Sequence, residues 1–169
     1  MKKLTADDVI RILNLKPLPA EGGFYRETYR GPIVNAPATI FGIKSASPRV
    51  TSTAIYYLIR PESFSALHKI SSDEIFHFYA GDPVEMVQIT SSGELRKITM
   101  GTDLQSGQEP QVCVPKNIWQ GLKLQQGGAW ALLGTTVAPG FEFEDFVLGQ
   151  REIMLQEYPQ HKDVIFRYT

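Results

Sequence analysis

A succession of short, strand-like runs separated by glycine, proline and serine turns is the feature that most restricts the fold of this 169-residue chain. Residues 51–60 are rich in β-branched and aromatic side chains and end at Pro61, and two further runs flank the polar turn at 91–94. No helical crossover lies between consecutive runs, which argues against a parallel sheet. The pattern predicts an antiparallel all-β domain, a closed barrel or a jelly roll, with an interior that can hold a ligand.

Helical patterns occur only near the two ends of the chain. Thr5 can cap a run in which Val9, Ile12 and Leu13 recur at helical spacing before Pro17. Residues 151–158 predict one or two further helical turns. Because no repeat, linker or low-complexity tract divides the sequence, we expect residues 1–169 to form one domain with a short helix at each end.

Charge and composition remove several classes of function. The formal net charge is -1 and the pI is about 6.3, so the chain lacks a basic surface for phosphates, and no nucleic-acid partner is expected. No apolar run approaches the roughly 20 residues that span a bilayer, so no membrane partner is expected either. The single cysteine, Cys113, is predicted to be a buried, inert thiol, and we expect a reducing, cytoplasmic compartment.

Two segments that precede the main strands have distinct patterns. Residues 24–30 alternate, so that Arg26 and Arg30 share one face of a strand and the tyrosines share the other. Such an aromatic strand, together with the exposed edges of a small sheet, is most easily covered by a second copy, and we expect a homodimer. Residues 31–49 contain three prolines and no sustained period, which predicts a long irregular loop.

The candidate site centres on two of the three histidines. Strand alternation places His68 on an apolar face with Ile70, and it places Glu74 on the apolar face of the next strand. An unpaired buried carboxylate is costly, so we expect His68 and Glu74 to approach each other in a cavity. By the same alternation His77 points away from the Glu74 face, and only a β-bulge would reverse it.

This stretch resembles the first motif of the cupins, G-x5-H-x-H-x3-4-E-x6-G. His68 matches the first histidine of that motif, Glu74 the glutamate and Gly81 the last glycine. Pro115 matches the proline of the second cupin motif, G-x5-P-x-G-x2-H-x3-N. Four longer segments resemble the fifth cupin subfamily of uncharacterised single-domain proteins: residues 22–29, 72–83, 114–121 and 137–146. The resemblance implies a single cupin jelly-roll β-barrel over nearly the whole chain, similar to sugar-nucleotide epimerases and seed storage proteins.

The metal-ligand positions depart from the cupin pattern. Ile70 stands in place of the second histidine, and Gln120 stands in place of the last. Most metal cupins hold a divalent ion with three histidines and one carboxylate, whereas His68, Glu74 and Gln120 supply one imidazole, one carboxylate and one amide. Two strong donors are too few for a tightly held ion, so no metal cofactor is expected, and a divalent metal stays the alternative.

Three functions stay open at this point. Resemblance to the metal-free epimerases implies an isomerase of a sugar derivative, with His68 as base, Glu74 orienting the imidazole, and Tyr57 on a neighbouring strand as acid. In the second, the cavity binds a small polar metabolite and no bond is made or broken. The third is a metal-dependent cupin oxygenase or isomerase.

Several other side chains are candidates for contact with a ligand, through hydrogen bonds, stacking or ion pairing: Gln120, Trp119, Arg26 and His77. The alternative to ligand contact for Trp119 is packing in the core, and the alternative for Arg26 is a salt bridge at the rim of the sheet. Three phenylalanines near the C-terminal end of the strand region are expected in the core: Phe141, Phe143 and Phe146.

Overall fold

The computed structural model describes residues 3–35, 38–40, 43–45 and 47–169. The helices are α1 Ala6–Leu13, α2 Arg151–Glu157 and α3 Lys162–Tyr168. In chain order the strands are β1 Lys16–Pro17, β2 Phe24–Arg30, β3 Ile33–Val34, β4 Ala38–Ile40, β5 Ile43–Ser45, β6 Arg49–Val50, β7 Thr53–Ile59, β8 Ser65–Lys69, β9 Asp73–Gly81, β10 Val84–Ile89, β11 Leu95–Met100, β12 Gln111–Val114, β13 Trp119–Leu124, β14 Ala131–Ala138 and β15 Val147–Leu148. Short 3-10 turns lie at Leu104–Ser106, Phe143–Asp145 and Pro159–His161.

Two antiparallel sheets form a jelly-roll architecture. One sheet has the strand order β1-β2-β7-β14-β9-β12, and the other has the order β11-β10-β13-β8-β15. The predicted all-β jelly roll with a short N-terminal helix is confirmed, although among the described residues no strand pairing joins the two sheets into the closed barrel that the resemblance implied.

The segment predicted as an irregular loop carries short strand pairs. β3 pairs with β6, and β4 pairs with β5, both antiparallel. The prediction of a long irregular loop over 31–49 is therefore wrong for these residues, because backbone pairing needs no hydrophobic periodicity when a ladder is only two or three residues long. Positions 36, 37, 41, 42 and 46 of that loop lie outside the described residues.

The inward-facing side chains of the six-stranded sheet pack in the core at one end of the strands and line a cavity at the other. On β7, β9 and β14 the inward side chains at one end are apolar and belong to the main core: Tyr57, Ile59, Phe76, Phe78, Ala131 and Leu133. At the other end the same faces continue as cavity lining: Thr53, Ile55, Glu74, Thr135 and Val137. Strand alternation therefore builds a packed core and, directly beside it, a cavity.

The terminal helices cover outer sheet faces. A capping box begins α1, in which the Thr5 hydroxyl accepts from the Asp8 amide and the Asp8 carboxylate accepts from the Thr5 amide, both at 3.2 Å. Val9 is buried against the six-stranded sheet, whereas Ile12 is 57% exposed. α2 and α3 pack on the five-stranded sheet. Of these two helices the sequence predicted only α2, because Pro159 indicates a helix end, whereas in the structure a 3-10 turn at Pro159–His161 leads directly into α3.

A β-bulge in β2 changes which residues face the cavity. Glu27 pairs with Ile55 and Tyr29 with Ala54, so Thr28 has no partner across the ladder. The extra residue reverses the alternation, and Arg30 therefore shares the inner face with Glu27. Arg26 stays on the outer face, 5.4 Å from the centroid of the Tyr56 ring. The prediction that Arg26 and Arg30 share a face is wrong for this reason.

Candidate functional site

A cavity of about 380 Å³ lies between the two sheets, a size typical of small-molecule sites. Its polar and charged lining includes Glu21, Glu27, Arg30, His68, Glu74 and Glu142. Its apolar lining includes Tyr25, Ile55, Val137, Phe141, Phe143 and Phe146. The charged groups come from both sheets and from two connecting segments, so the fold assembles them from distant parts of the sequence.

A buried amide joins the two predicted catalytic residues across the cavity end. Gln120 on β13 pairs with His68 on β8, and its Nε2 lies 3.3 Å from His68 Nε2. The same Nε2 donates to Glu74 Oε2 at 2.6 Å. All three side chains are buried, with exposures of 2% for His68, 0% for Gln120 and 7% for Glu74. His68 and Glu74 thus belong to one network, with Gln120 between them instead of the direct approach that we expected.

The hydrogen bonds of His68 define its neutral tautomer. Nδ1 lies 2.8 Å from the Ala66 carbonyl, which can only accept, so Nδ1 carries the proton. Nε2 then presents a lone pair toward the Gln120 amide. The Phe146 ring stacks on the imidazole at a centroid distance of 5.1 Å. Orientation of His68 comes from the Ala66 carbonyl, so the expected role of Glu74 in orienting the imidazole is wrong.

Glu21 is a site residue that the sequence analysis missed. Its Oε2 lies 4.0 Å from His68 Nε2, and its Oε1 accepts from the Ser65 hydroxyl at 2.8 Å. It lies in the turn before β2, where Ala20 and Gly22 have φ values of 64° and 100°. A Cβ on Gly22 would meet the Phe64 carbonyl oxygen at 2.3 Å, so a glycine is required there. The glycine pair after Glu21 was the one available signal.

Burial governs the ionisation of the inner carboxyl. Desolvation raises the pKa of Glu74, the neighbouring His68 acts to lower it, and the Glu21 carboxylate adds to the increase. Burial also raises the pKa of Tyr57 well above its usual value, again with a contribution from Glu21. The inner end of the cavity therefore favours the uncharged carboxyl of Glu74 more than water does.

Five of the predicted site residues lie outside the cavity lining: Gln120, which is buried behind it, and Tyr57, Trp119, Arg26 and His77. Tyr57 is 1% exposed in the core beside it, and its hydroxyl donates to the Gly22 carbonyl at 2.9 Å. Trp119 packs against the C-terminal helices on the outer face of its sheet, with Lys69 Nζ 4.5 Å from its ring centroid. Arg26 lies on the outer face of the other sheet, as described above.

His77 also lies on that outer face. Its Nδ1 is 3.2 Å from the Gln111 amide, and its ring stacks on Tyr79 with centroids 6.3 Å apart. No bulge separates it from Glu74, so alternation holds along this part of β9.

Cys113 is exposed on the outward side of β12, so the prediction of a buried thiol is wrong.

The segment 141–146 forms one wall of the cavity. Asp145 accepts from Arg49 Nη1 at 3.0 Å and from the Ser71 hydroxyl at 2.7 Å, and it also contacts Arg49 Nη2. Phe143 is 64% exposed, and Phe141 and Phe146 are only partly buried. The expectation that the three phenylalanines belong to the core is wrong, because residues 143–145 form a 3-10 turn and the segment lacks the alternation of a strand.

Comparison with known proteins agrees with this architecture. The family model described as "Cupin superfamily (DUF985)" matches residues 7–149. The chain belongs to this cupin family. The uncharacterized protein YML079W of Saccharomyces cerevisiae is 29% identical over 143 residues, which cover 79% of this cupin and 71% of the yeast protein.

Solved structures show the same fold at higher coverage. Protein SO0799 of Shewanella oneidensis is 36% identical with a TM-score of 0.87, over 99% of this cupin and 98% of that chain. A hypothetical protein from Leishmania major is 30% identical with a TM-score of 0.88, over 98% and 99%. Oxalate decarboxylase of Bacillus subtilis, 12% identical with a TM-score of 0.55, shares the fold over 93% of this cupin but only 38% of its own chain.

The residues of this cupin do not form a set of metal ligands like that of the metal cupins. Bacillus subtilis oxalate decarboxylase has Mn(II) centres. Here an alkyl side chain, Ile70, lines the cavity where such an ion would need a donor. Gln120 Nε2 directs its hydrogens at His68 and Glu74 and so competes for their lone pairs. Among the described residues no group of three or more His, Cys, Asp or Glu could hold a metal ion.

No described helix is long and apolar enough to cross a membrane.

Proposed function

We propose that this cupin binds a small organic molecule in its cavity and does so without a tightly held metal. The observation that carries the proposal is the buried Gln120 amide, which bridges His68 and Glu74 beside a cavity of about 380 Å³. A buried network of this kind costs desolvation, and its benefit is a rigid set of hydrogen-bonding groups. Such groups at one end of a cavity that also has apolar and aromatic walls are typical of small-molecule recognition.

The metal-free part of the proposal rests on the donor set. His68 and Glu74 are two strong donors, and a third position that would complete a cupin centre is occupied by Ile70. Elemental analysis of protein purified without chelator or affinity tag should find less than about a tenth of an equivalent of iron, manganese, nickel or zinc. Near-stoichiometric metal that is lost in both His68→Ala and Glu74→Ala would contradict it.

The binding proposal is tested by the molecules that the purified protein retains. Extraction followed by mass spectrometry should find a compound enriched with the wild-type protein and lost in Ile55→Trp, which fills the cavity with a larger side chain. His77→Ala is the matched control, because His77 lies on the outer sheet face and its loss leaves the cavity intact. Retention of the same compound by Ile55→Trp would contradict binding in this cavity.

Proton transfer is the second candidate, and the tautomer of His68 supports it. With Nδ1–H donated to Ala66, Nε2 carries the lone pair that a base needs, and the Gln120 amide that faces it must turn aside before a substrate proton reaches it. Tyr57 donates to a backbone carbonyl and does not line the cavity, so Glu74 replaces it as the candidate acid. Incorporation of solvent deuterium into a keto sugar, abolished in His68→Ala, would support an isomerase. Binding without any exchange would support a purely binding role.

We also keep the proposal of a homodimer. Support comes from three large side chains exposed on the outer face of the six-stranded sheet: Tyr29 at 54%, Ile75 at 36% and Tyr79 at 50%. A reducing cytoplasmic location stays a proposal as well, supported by the exposed thiol of Cys113. No nucleic-acid or membrane partner is proposed.

A further inference from the structure

The hydrogen-bond donors at the inner end of the cavity are already used within the protein. His68 Nδ1–H donates to the Ala66 carbonyl, and the Ser65 hydroxyl donates to Glu21. Gln120 Nε2 uses its hydrogens for Glu74 and His68. The hydroxyl of Thr135, which also lines the cavity, hydrogen-bonds Glu74. These four side chains therefore leave few N–H or O–H groups for a molecule that enters the inner end.

Acceptor capacity at the same end is in excess. The carboxylates of Glu21 and Glu74 present about four lone-pair positions each, far more than the donors that reach them. Gln120 Oε1 is buried and has no hydrogen-bond partner within the described part of the chain. Hydrogen bonds that a ligand forms here must consequently be donated by the ligand itself.

The charge of the cavity lining also favours a ligand that donates hydrogen bonds. Four glutamates line the cavity, and Arg30 is the one lysine or arginine among the described lining residues. Arg30 pairs with two of these glutamates, and its Nε donates to Glu27 at 3.1 Å and its Nη1 to Glu142 at 2.9 Å. Protonation of both Glu74 and His68 would still leave the lining negative by one charge, because three carboxylates would then face two cations.

Aromatic side chains provide the remaining wall. Phe141 and Phe143 pack edge to face with ring centroids 5.2 Å apart, and Phe146 lies on the imidazole of His68. Aromatic faces attract organic cations and also cover the apolar body of a ring compound. The lining thus combines the carboxyl groups of Glu21 and Glu74 with aromatic rings from the segment 141–146.

We propose that the ligand is an organic amine, whose ammonium group donates hydrogen bonds to Glu21 and Glu74 while Phe141, Phe143 and Phe146 cover its apolar body. This inference rests on the proposed binding function and names the class of ligand for it. The same lining disfavours anions such as sugar phosphates and carboxylates, because the one lysine or arginine among the described lining residues already pairs with two glutamates, and an anion would face several carboxylates.

Three probes with one shape and different charge test the proposal. Benzylamine is cationic at pH 7.5, benzyl alcohol is neutral and benzoate is anionic. Each is titrated into ¹⁵N-labelled wild-type protein, and amide shifts of residues 65–70, 74 and 133–137 report binding in the cavity. We expect benzylamine to bind at least about tenfold more tightly than benzyl alcohol, and benzoate to leave these amides unshifted. Raising the salt concentration should weaken benzylamine more than benzyl alcohol.

Variants then identify the carboxylates responsible. Glu21→Gln removes the charge but keeps an acceptor for Ser65, so the preference for benzylamine over benzyl alcohol should fall about threefold or more. Glu74→Gln provides an independent variant should Glu21→Gln disturb the turn before β2. Glu94→Gln removes the same charge from an exposed position outside the cavity and should keep the wild-type preference.

The outcomes separate this inference from the binding proposal. Equal or tighter binding of benzyl alcohol or benzoate in the cavity overturns the amine inference and leaves a binding site in place. A benzylamine preference that persists in both Glu21→Gln and Glu74→Gln overturns it too. If none of the three probes shifts the amide signals of the cavity residues, the amine inference is overturned. The compounds extracted from the purified protein then test the binding proposal separately.

Discussion

At the scale of the residue, burial makes Glu74 a source of pH-dependent stability. Desolvation raises the pKa of its carboxyl in the folded state above the ordinary value of 4.5, which also applies to the unfolded chain. The folded protein therefore binds this proton more tightly than the unfolded chain does. The resulting stabilisation is fully present below about pH 4.5 and is lost as the pH rises through the folded-state pKa.

Glu74→Gln removes this ionisation, and the difference in unfolding free energy between the variant and the wild type should shift in favour of the variant as the pH rises. The change is at most about 1.4 kcal/mol per pH unit and stops above the folded-state pKa. Urea unfolding between pH 4.5 and pH 8 measures it. The exposed variant Glu94→Gln should follow the wild type throughout. A difference between Glu74→Gln and wild type that does not change with pH would contradict the shifted pKa.

At the scale of the element, a largely buried ion pair between Arg49 and Asp145 helps to hold the segment 141–146 over the cavity. Burial acts to raise the pKa of Asp145, but hydrogen bonds from Arg49 and Ser71 outweigh it, and the net direction is downward. Arg49 and Asp145 are largely buried, with side-chain exposures of 14% and 13%. Loss of one member of such a pair leaves the other without compensation.

Asp145→Asn should therefore destabilise the protein by roughly 2 kcal/mol and increase hydrogen exchange in residues 139–149. Mass-spectrometric hydrogen exchange locates the effect, and urea unfolding measures its size. The matched control is Glu144→Gln, an exposed neighbour in the same turn. Equal exchange in Asp145→Asn and Glu144→Gln would show that the Arg49 contact does not hold the segment.

At the scale of the whole molecule, the outer face of the six-stranded sheet determines assembly in our proposal. Ile75→Glu places a charge on that face, so the homodimer should dissociate to a monomer of 18.9 kDa in light scattering at micromolar concentration. Leu104→Glu is the control, since Leu104 is 68% exposed in a 3-10 turn away from this face. A monomeric wild-type protein would contradict the proposal outright.

Local pattern in the sequence determined much of the fold and the direction of key side chains. Alternation correctly placed Glu74 inward and His77 outward, because β9 has no bulge between them and keeps its period of two. His68 also lines the cavity as predicted, although the pairing of β8 with β13 has a register shift between Ser65 and His68. The capping box at Thr5 likewise involves residues three apart and needs no tertiary contact. Alternation failed at Arg30, where the bulge at Thr28 shifts the register by one residue.

Tertiary structure alone decided how the site is assembled. Glu21 reaches His68 from a turn before β2, and Gln120 enters between His68 and Glu74 from a strand far along the chain. Phe146 covers the imidazole because Asp145 is held by Arg49 and Ser71. Each of these contacts joins residues that are distant in sequence and close only after the two sheets pack. Periodicity reports which face a side chain occupies, whereas the partner it meets there depends on packing between elements.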